Sequence, residues 1–369
     1  MRVHGDIRLA ATVLLAFMFA VTSPSTFAQS DAVLVAVAND GNVLNVTIPV
    51  FDPGIPTDPA EFRNMEVFPR IREIEAKLMP FLLRETLVDS NEWGAVRVVT
   101  EQEDAAELQL FGTIVRSDGD WLDLRVRAVD ATGTVWLDQV FSDQANDGPA
   151  AQPGDEDTPE FQEIYTEITD ALLAARNDMG DAAVSNIRNT SLVRYASKLA
   201  PSAFGEYLEH NDDGTLRLLR LPSRNDPMLK RIEVIRNTEY LITDTVDTKF
   251  REFNTDLTHT YRVWREYRRK LVGYEVENIR FAESDAYDYQ PGSWKAIKHQ
   301  YDAYKYDRIT AQEQDRLAVA FNTEVGSTVE AMELRVGELD GWLDRGYLEW
   351  RGLLEELYEV ETSLREYSE

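Results

Sequence analysis

The chain has 369 residues, 66 acidic against 38 basic side chains for a formal charge of −28, and no cysteine. The charge argues against a nucleic-acid partner, since a polyanion would approach against repulsion and gain nothing from counterion release. The missing cysteine excludes disulfides, zinc–thiolate sites and the acylated cysteine of a bacterial lipoprotein.

In chain order, Arg2 and Arg8 precede an uncharged run from Leu9 to Val21 and then Thr26-Phe27-Ala28, with small residues where a signal peptidase reads. Residues 1–28 are therefore expected to be an export signal cleaved after Ala28. The run is shorter than the ~20 apolar residues a membrane helix needs. A periplasmic location is expected, with the membrane reached only indirectly, through a partner.

Residues 29–180 carry 30 acids against 10 bases, net −20, and read as an α+β domain. Strand patterns cover Val43 to Phe51, Ala95 to Thr100, Leu108 to Ser117, Trp121 to Asp130 and Thr134 to Ser142. In the last three, Leu108/Leu110/Ile114, Leu122/Leu124/Val126/Ala128 and Val135/Leu137/Phe141 fall at even spacing, which puts them on one sheet face. Asp118-Gly119 and Thr132-Gly133 supply the turns of an antiparallel meander. Asp52-Pro53-Gly54-Ile55-Pro56 reads as a rigid turn, with a docking loop as the alternative.

Two helices flank these strands. Around Pro69 to Val88, Ile71, Ile74, Leu78, Phe81 and Leu82 share a stripe, and Pro80 is expected to kink the helix. Phe161, Ile164, Tyr165, Ile168, Leu172 and Ala175 follow the spacing of an amphipathic helix lying on a sheet. Between the last strand and this second helix, Gln144 to Pro159, rich in Pro, Gly and acid, reads as a mobile loop. Together these predict a mostly antiparallel sheet with flanking helices covering one face.

The stretch AELQLFGTIVRSDGDWLDLRVRAVDATGTVWLDQVFS, Ala106 to Ser142, resembles the small envelope domains of TolB N-termini, of CsgG and of the lipoprotein activators of penicillin-binding proteins. Phe161 to Arg176 is similar to the helix that follows in TolB. The resemblance covers about residues 43–176 and implies a periplasmic module that docks partners and performs no catalysis. The propeller repeats and lipid-bearing cysteine of those families have no counterpart here.

Residues 181–227 read as a helical connector, with helices over Ala182 to Leu199 and Ser202 to Glu209 and an apolar-basic run, LRLLRLP, ending at Pro222. Residues 228–369 read as an all-α domain, a long antiparallel helical hairpin or coiled coil. Phe250, Phe253, Leu257, Thr260, Trp264, Tyr267, Leu271 and Tyr274 alternate steps of three and four, the a/d seam of a coiled coil. Pro291-Gly292 breaks the helix, and Ser293 can cap the next. The seam returns through Met332, Val336, Leu339, Leu343, Gly346, Trp350, Leu353, Leu357, Val360 and Leu364. The first arm, about 57 residues, spans ~85 Å at the helical rise. A three-helix bundle is the alternative, because Gly326 before Ser327-Thr328-Val329-Glu330 fits a capping box that breaks or bends the second arm. Gly337, Gly341, Gly346 and Gly352 each weaken that arm by ~1 kcal/mol relative to alanine, which a closely approaching partner helix would offset.

Little in the chain points to chemistry. Of His210, His259 and His299, none stands in metal-ligand spacing; the last two fall on opposite arms, and two imidazoles without a carboxylate pair make a poor site. Asp118, Asp120 and Asp123 flank a turn without the twelve-residue loop of a calcium site, so turn chemistry explains them better. Trp294, Tyr301, Tyr304 and Tyr306 are interleaved with Lys295, Lys298 and Lys305. Such a mix can stack on sugars, but Trp294, Ile297, Tyr301 and Tyr304 keep core spacing. Arg262, Arg265, Arg268, Arg269 and Lys270 form a basic run, read as the wet face of a coil, with anionic lipid or the acidic first domain as other targets. No catalytic, cofactor-binding or metal residue is assigned, and no cofactor is expected. The expected function is non-catalytic: a scaffold or assembly protein of a Gram-negative envelope that binds protein partners. A peptidoglycan or carbohydrate binder, or hydrolase, and a self-assembling coiled coil forming homo-oligomers are the alternatives.

Overall fold

The structure, a computed structural model, describes residues 43–64, 67–103, 106–145, 161–223, 225–286 and 294–366, without side-chain detail for 63–64, most of 271–311 and 364–366. The expected export signal, most of the acidic loop before Phe161 and the break at Pro291-Gly292 lie outside these residues.

One mixed sheet holds β1 (Val46–Pro49), β2 (Val96–Val99), β3 (Leu108–Ser117), β4 (Trp121–Asp130) and β5 (Val135–Gln144), in the order β2-β1-β3-β4-β5. The meander β3-β4-β5 is antiparallel, as its turns predict. β1 runs parallel to both β2 and β3. After the short α1 (Glu61–Asn64), helix α2 (Pro69–Asp89) is the crossover that a parallel β1-β2 pair requires. Helix α2 continues through Pro80.

The inward rows are those the alternation predicts. Leu108, Leu110, Ile114, Leu122, Leu124, Val126 and Ala128 are all fully buried. Val135 departs from its row and is exposed. The register shifts so that Ala128 faces Leu137 but Val129 faces Val135, and this bulge reverses the alternation at the strand's start. Gly112, in the middle of β3, is where the Phe51 ring lies on the sheet; a Cβ there would sit 2.5 Å from that ring.

Helix α2 is sandwiched. Ala76, Met79, Leu83 and Leu87 pack into the sheet core with Ile164, Tyr165, Ile168 and Leu172 of α3 (Gln162–Met179). The stripe legible in the sequence, Ile71, Ile74, Leu78 and Phe81, turns the other way, into a second core shared with the long helices. An amphipathic stripe says that something covers it, not what.

The connector is less helical than its sequence predicts. Helix α4 (Asp181–Leu199) is followed by only a turn of α5 (Pro201–Phe204), a 3₁₀ turn at Gly205–Tyr207 and a ribbon of β6 (Leu208–His210) with β7 (Leu216–Leu218). The Leu216 N–H donates to the Thr132 carbonyl at 2.7 Å, which ties the ribbon to the β4–β5 turn.

Helices α6 (Pro227–Ala286) and α7 (Trp294–Glu366) form the expected antiparallel hairpin, 60 and 73 residues long. Asp226 starts α6, its Oδ1 accepting the Met228 N–H at 2.8 Å, with Pro227 at the first helical position. Arg231–Glu361, Glu239–Tyr347 and Tyr261–Phe321 contacts mark the antiparallel register. Helix α7 runs unbroken through Gly326, which rules out the three-helix alternative.

The seam is followed only in part. Phe250, Phe253, Leu257, Trp264, Met332 and Val336 are buried between the arms and α2. Tyr267 is exposed, with Arg268 buried in its place, and Leu353, Leu357 and Val360 are exposed while Leu354 is buried. A strict seven-residue repeat drifts by about 20° per heptad around a straight α-helix. Over three heptads that drift carries the seam off the partner arm, and the true contact face passes to Tyr347, Leu354 and Tyr358.

Candidate functional site

The β4–β5 hairpin is organised by one carboxylate. Asp130, 4% exposed, accepts the Thr132 N–H (2.8 Å), the Thr132 hydroxyl (2.6 Å) and the Thr134 N–H (3.2 Å) on Oδ1, and the Trp136 indole N–H (2.9 Å) on Oδ2. The turn is thus rigid and β5 held at a fixed angle. β5 is the last strand of the sheet, and its outer edge has no strand partner among the described residues. Along it Val135 and Val140 are exposed, and Arg125 of β4 reaches across to Asp138 with both Nε (2.7 Å) and Nη2 (3.1 Å).

The opposite edge is closed. Asp247 of α6 accepts the Val98 N–H of β2 at 3.0 Å and the Arg84 Nε at 2.9 Å, both buried. Arg97 adds an ion pair to Asp244 and lies 4.7 Å from the Tyr240 ring. A helix carboxylate here substitutes for the missing neighbouring strand.

Two polar clusters, the first half-buried and the second buried, join the parts of the fold. In the first, Glu239 of α6 accepts the hydroxyls of Tyr195 (α4, 2.5 Å) and Tyr347 (α7, 3.2 Å), with Arg236 stacked over Tyr195 and Lys198 over Tyr347. Burial raises the Glu239 carboxyl against the lowering pull of those two hydroxyls. Glu103, hydrogen-bonded to Thr47, is pushed up to about 7 by burial and by Glu239. In the second, Glu75 of α2 accepts the Tyr261 hydroxyl (2.9 Å) and the Ser117 hydroxyl (2.9 Å), and Ser117 accepts from Arg265 (2.8 Å). Arg72, Arg265 and Arg268 are each at most 3% exposed around it, and burial lowers the Arg72 guanidinium. Both clusters tie helices together, and in the second the buried Glu75 Oε2 accepts no hydrogen bond and faces the Arg72 Nε at 3.7 Å. The first has no local signal, since Tyr195 and Tyr347 lie 152 positions apart, whereas the second shows in the sequence only as the basic run that holds Arg265 and Arg268.

Of the residues singled out in the sequence, Arg265 and Arg268 meet around Glu75, and the other described ones do not converge. Asp118 accepts the N–H groups of Asp120 and Trp121, Asp120 accepts from Gln144, and Asp123 pairs with Arg116 in two hydrogen bonds. Asp52 closes its own turn by accepting the Gly54 N–H at 2.8 Å. His210 and His259 are exposed on separate elements, and the His299 side chain lies outside the described residues. Among the described residues no three His, Asp or Glu side chains gather as metal ligands. The basic run is only partly a wet face: Arg262 and Lys270 are exposed, but Arg265 is buried against Ser117 and Arg268 against Phe68. Tyr301, expected in the core, is 63% exposed, and the side chains of Trp294, Ile297, Tyr304 and Tyr306 lie outside the described residues. No described helix is long and apolar enough to cross a membrane. No protein-family model, curated protein or solved structure matches the chain.

Proposed function

We propose that this is a non-catalytic, exported protein of the bacterial envelope that binds other proteins in the periplasm as a scaffold or assembly factor. The observation that carries the reading is the outer edge of β5, which has no strand partner among the described residues. It is a ten-residue strand, VWLDQVFSDQ, without proline, lysine or arginine, and it exposes Val135 and Val140. Natural proteins blunt such edges, because an unpaired ladder is a template for another chain. Here β2 is blunted by Asp247, while the outer edge of β5 has no strand partner among the described residues and its turn is held by Asp130. The surface suits strand addition, in which backbone hydrogen bonds supply affinity and alternate side chains supply selectivity. The resemblance of Ala106–Ser142 to periplasmic docking domains supports the same reading. The net charge of −28 favours basic partners.

In-cell crosslinking of the tagged full chain in its native host, followed by mass spectrometry, tests this. Discrete complexes with other envelope proteins are expected. A chain that is exported, abundant and uncrosslinked contradicts the proposal.

A further inference from the structure

The distal half of α7 carries an apolar stripe that no described residue covers. Leu353 is 49%, Leu357 39% and Val360 54% exposed. Their steps of four and three continue the register of Met332 and Val336, which are buried against α6. Among the described residues nothing approaches the glycines nearby: a Cβ on Gly337 or Gly352 would meet nothing within 4 Å.

Two features name the occupant. First, three-four spacing fits the knobs-into-holes surface of another α-helix, and this stripe is continuous with a seam that α6 already fills. Second, the flank is acidic. In the same heptad frame Glu349 and Glu356 border the stripe on the side away from α6, both exposed, and residues 349–363 hold five acids against Arg351 alone. A second copy of the chain fits poorly. Antiparallel self-pairing that sets Trp350 opposite Leu353 brings Glu349 against Glu356, and like charges facing across a coiled coil disfavour the pair. We infer that the α7 stripe is a docking site for a basic amphipathic α-helix of another protein, apolar at a and d and carrying Lys or Arg at the flanking positions. This rests on the protein-binding reading above but uses a different surface from β5.

The test uses the full chain and a labelled four-heptad peptide with Leu and Ile at a and d and Lys at e and g, beside a matched peptide with Glu at e and g. Fluorescence anisotropy is expected to show saturable binding of the Lys peptide, weakened about tenfold or more by high salt. The Leu353→Ser/Leu357→Ser chain is expected to bind it about tenfold or more weakly with its thermal melt unchanged, since neither side chain is in the core. The Glu peptide is expected not to bind. Equal binding of the Lys peptide by both chains, no binding at all, or a sedimenting dimer that the double variant dissolves would each overturn the inference. If the peptide fails while crosslinked partners are still found, only the stripe is wrong; if it binds while none is found, the broader reading is.

Discussion

The indole N–H of Trp136 donates to the Asp130 carboxylate at 2.9 Å, across a turn whose Thr132 and Thr134 N–H groups end on the same side chain. Asp130→Ala leaves these donors without their acceptor in a buried turn, so a loss of about 2–4 kcal/mol in urea-unfolding stability is expected. Asp130→Asn keeps the acceptor for Thr132 and Thr134 but sets an amide N–H₂ against the indole N–H. It is expected to fall between wild type and alanine.

Neighbouring positions on α7 separate the true contact face from the heptad repeat. Leu354 is 3% exposed in the core formed with α4 and α6, whereas Leu357 is 39% exposed. Leu354→Ala is expected to cost about 2–4 kcal/mol, and Leu357→Ala within about 0.5 kcal/mol of nothing. Chemical denaturation of both variants checks this, and reversed magnitudes would restore the seam as the sequence draws it.

Asp247 holds the hairpin to the sheet. Removing it takes the acceptor from the buried Arg84 Nε and the Val98 N–H together, while Arg84 keeps its ion pair with Glu85, so Asp247→Ala is expected to cost about 2–4 kcal/mol. Hydrogen exchange should show the loss first at β2, with the β3-β4-β5 meander still protected.

Glu103 makes stability depend on pH. Its folded-state value of about 7 lies above the ordinary 4.5, pushed there by burial and by Glu239, against Arg97, Arg236 and the Thr47 hydroxyl. The folded chain therefore holds a proton that the unfolded chain has released between those values. Stability contributed by the protonated form is present below about 4.5 and is lost as pH rises through about 7. Glu103→Gln is expected to flatten that slope in a melt series; an unchanged slope would assign it to another group.

Much of this fold is legible where periodicity is local. The inward rows of the meander, the stripe of α3 and the antiparallel arms all follow from spacing. What escapes is set by neighbours distant in sequence. The stripe Ile71, Ile74, Leu78 and Phe81 reads correctly as buried, yet its partner is chiefly the hairpin, with Val98 the one fully buried sheet residue in the same cluster. Val135 keeps its period but loses its face to a bulge. The Tyr195–Glu239–Tyr347 tie joins three helices and leaves no local trace. The edge of β5 was half legible: the strand could be read, but not that β2, and not β5, receives a helix carboxylate.

A photoreactive amino acid placed at Val140 on β5, and as a control at the exposed Glu252 on α6, reports whether the open edge is where proteins dock. On illumination of living cells, discrete high-mass adducts are expected from position 140 and none from 252. Equal labelling at both positions, or no adduct from 140 in cells that export the chain normally, would contradict docking at that edge.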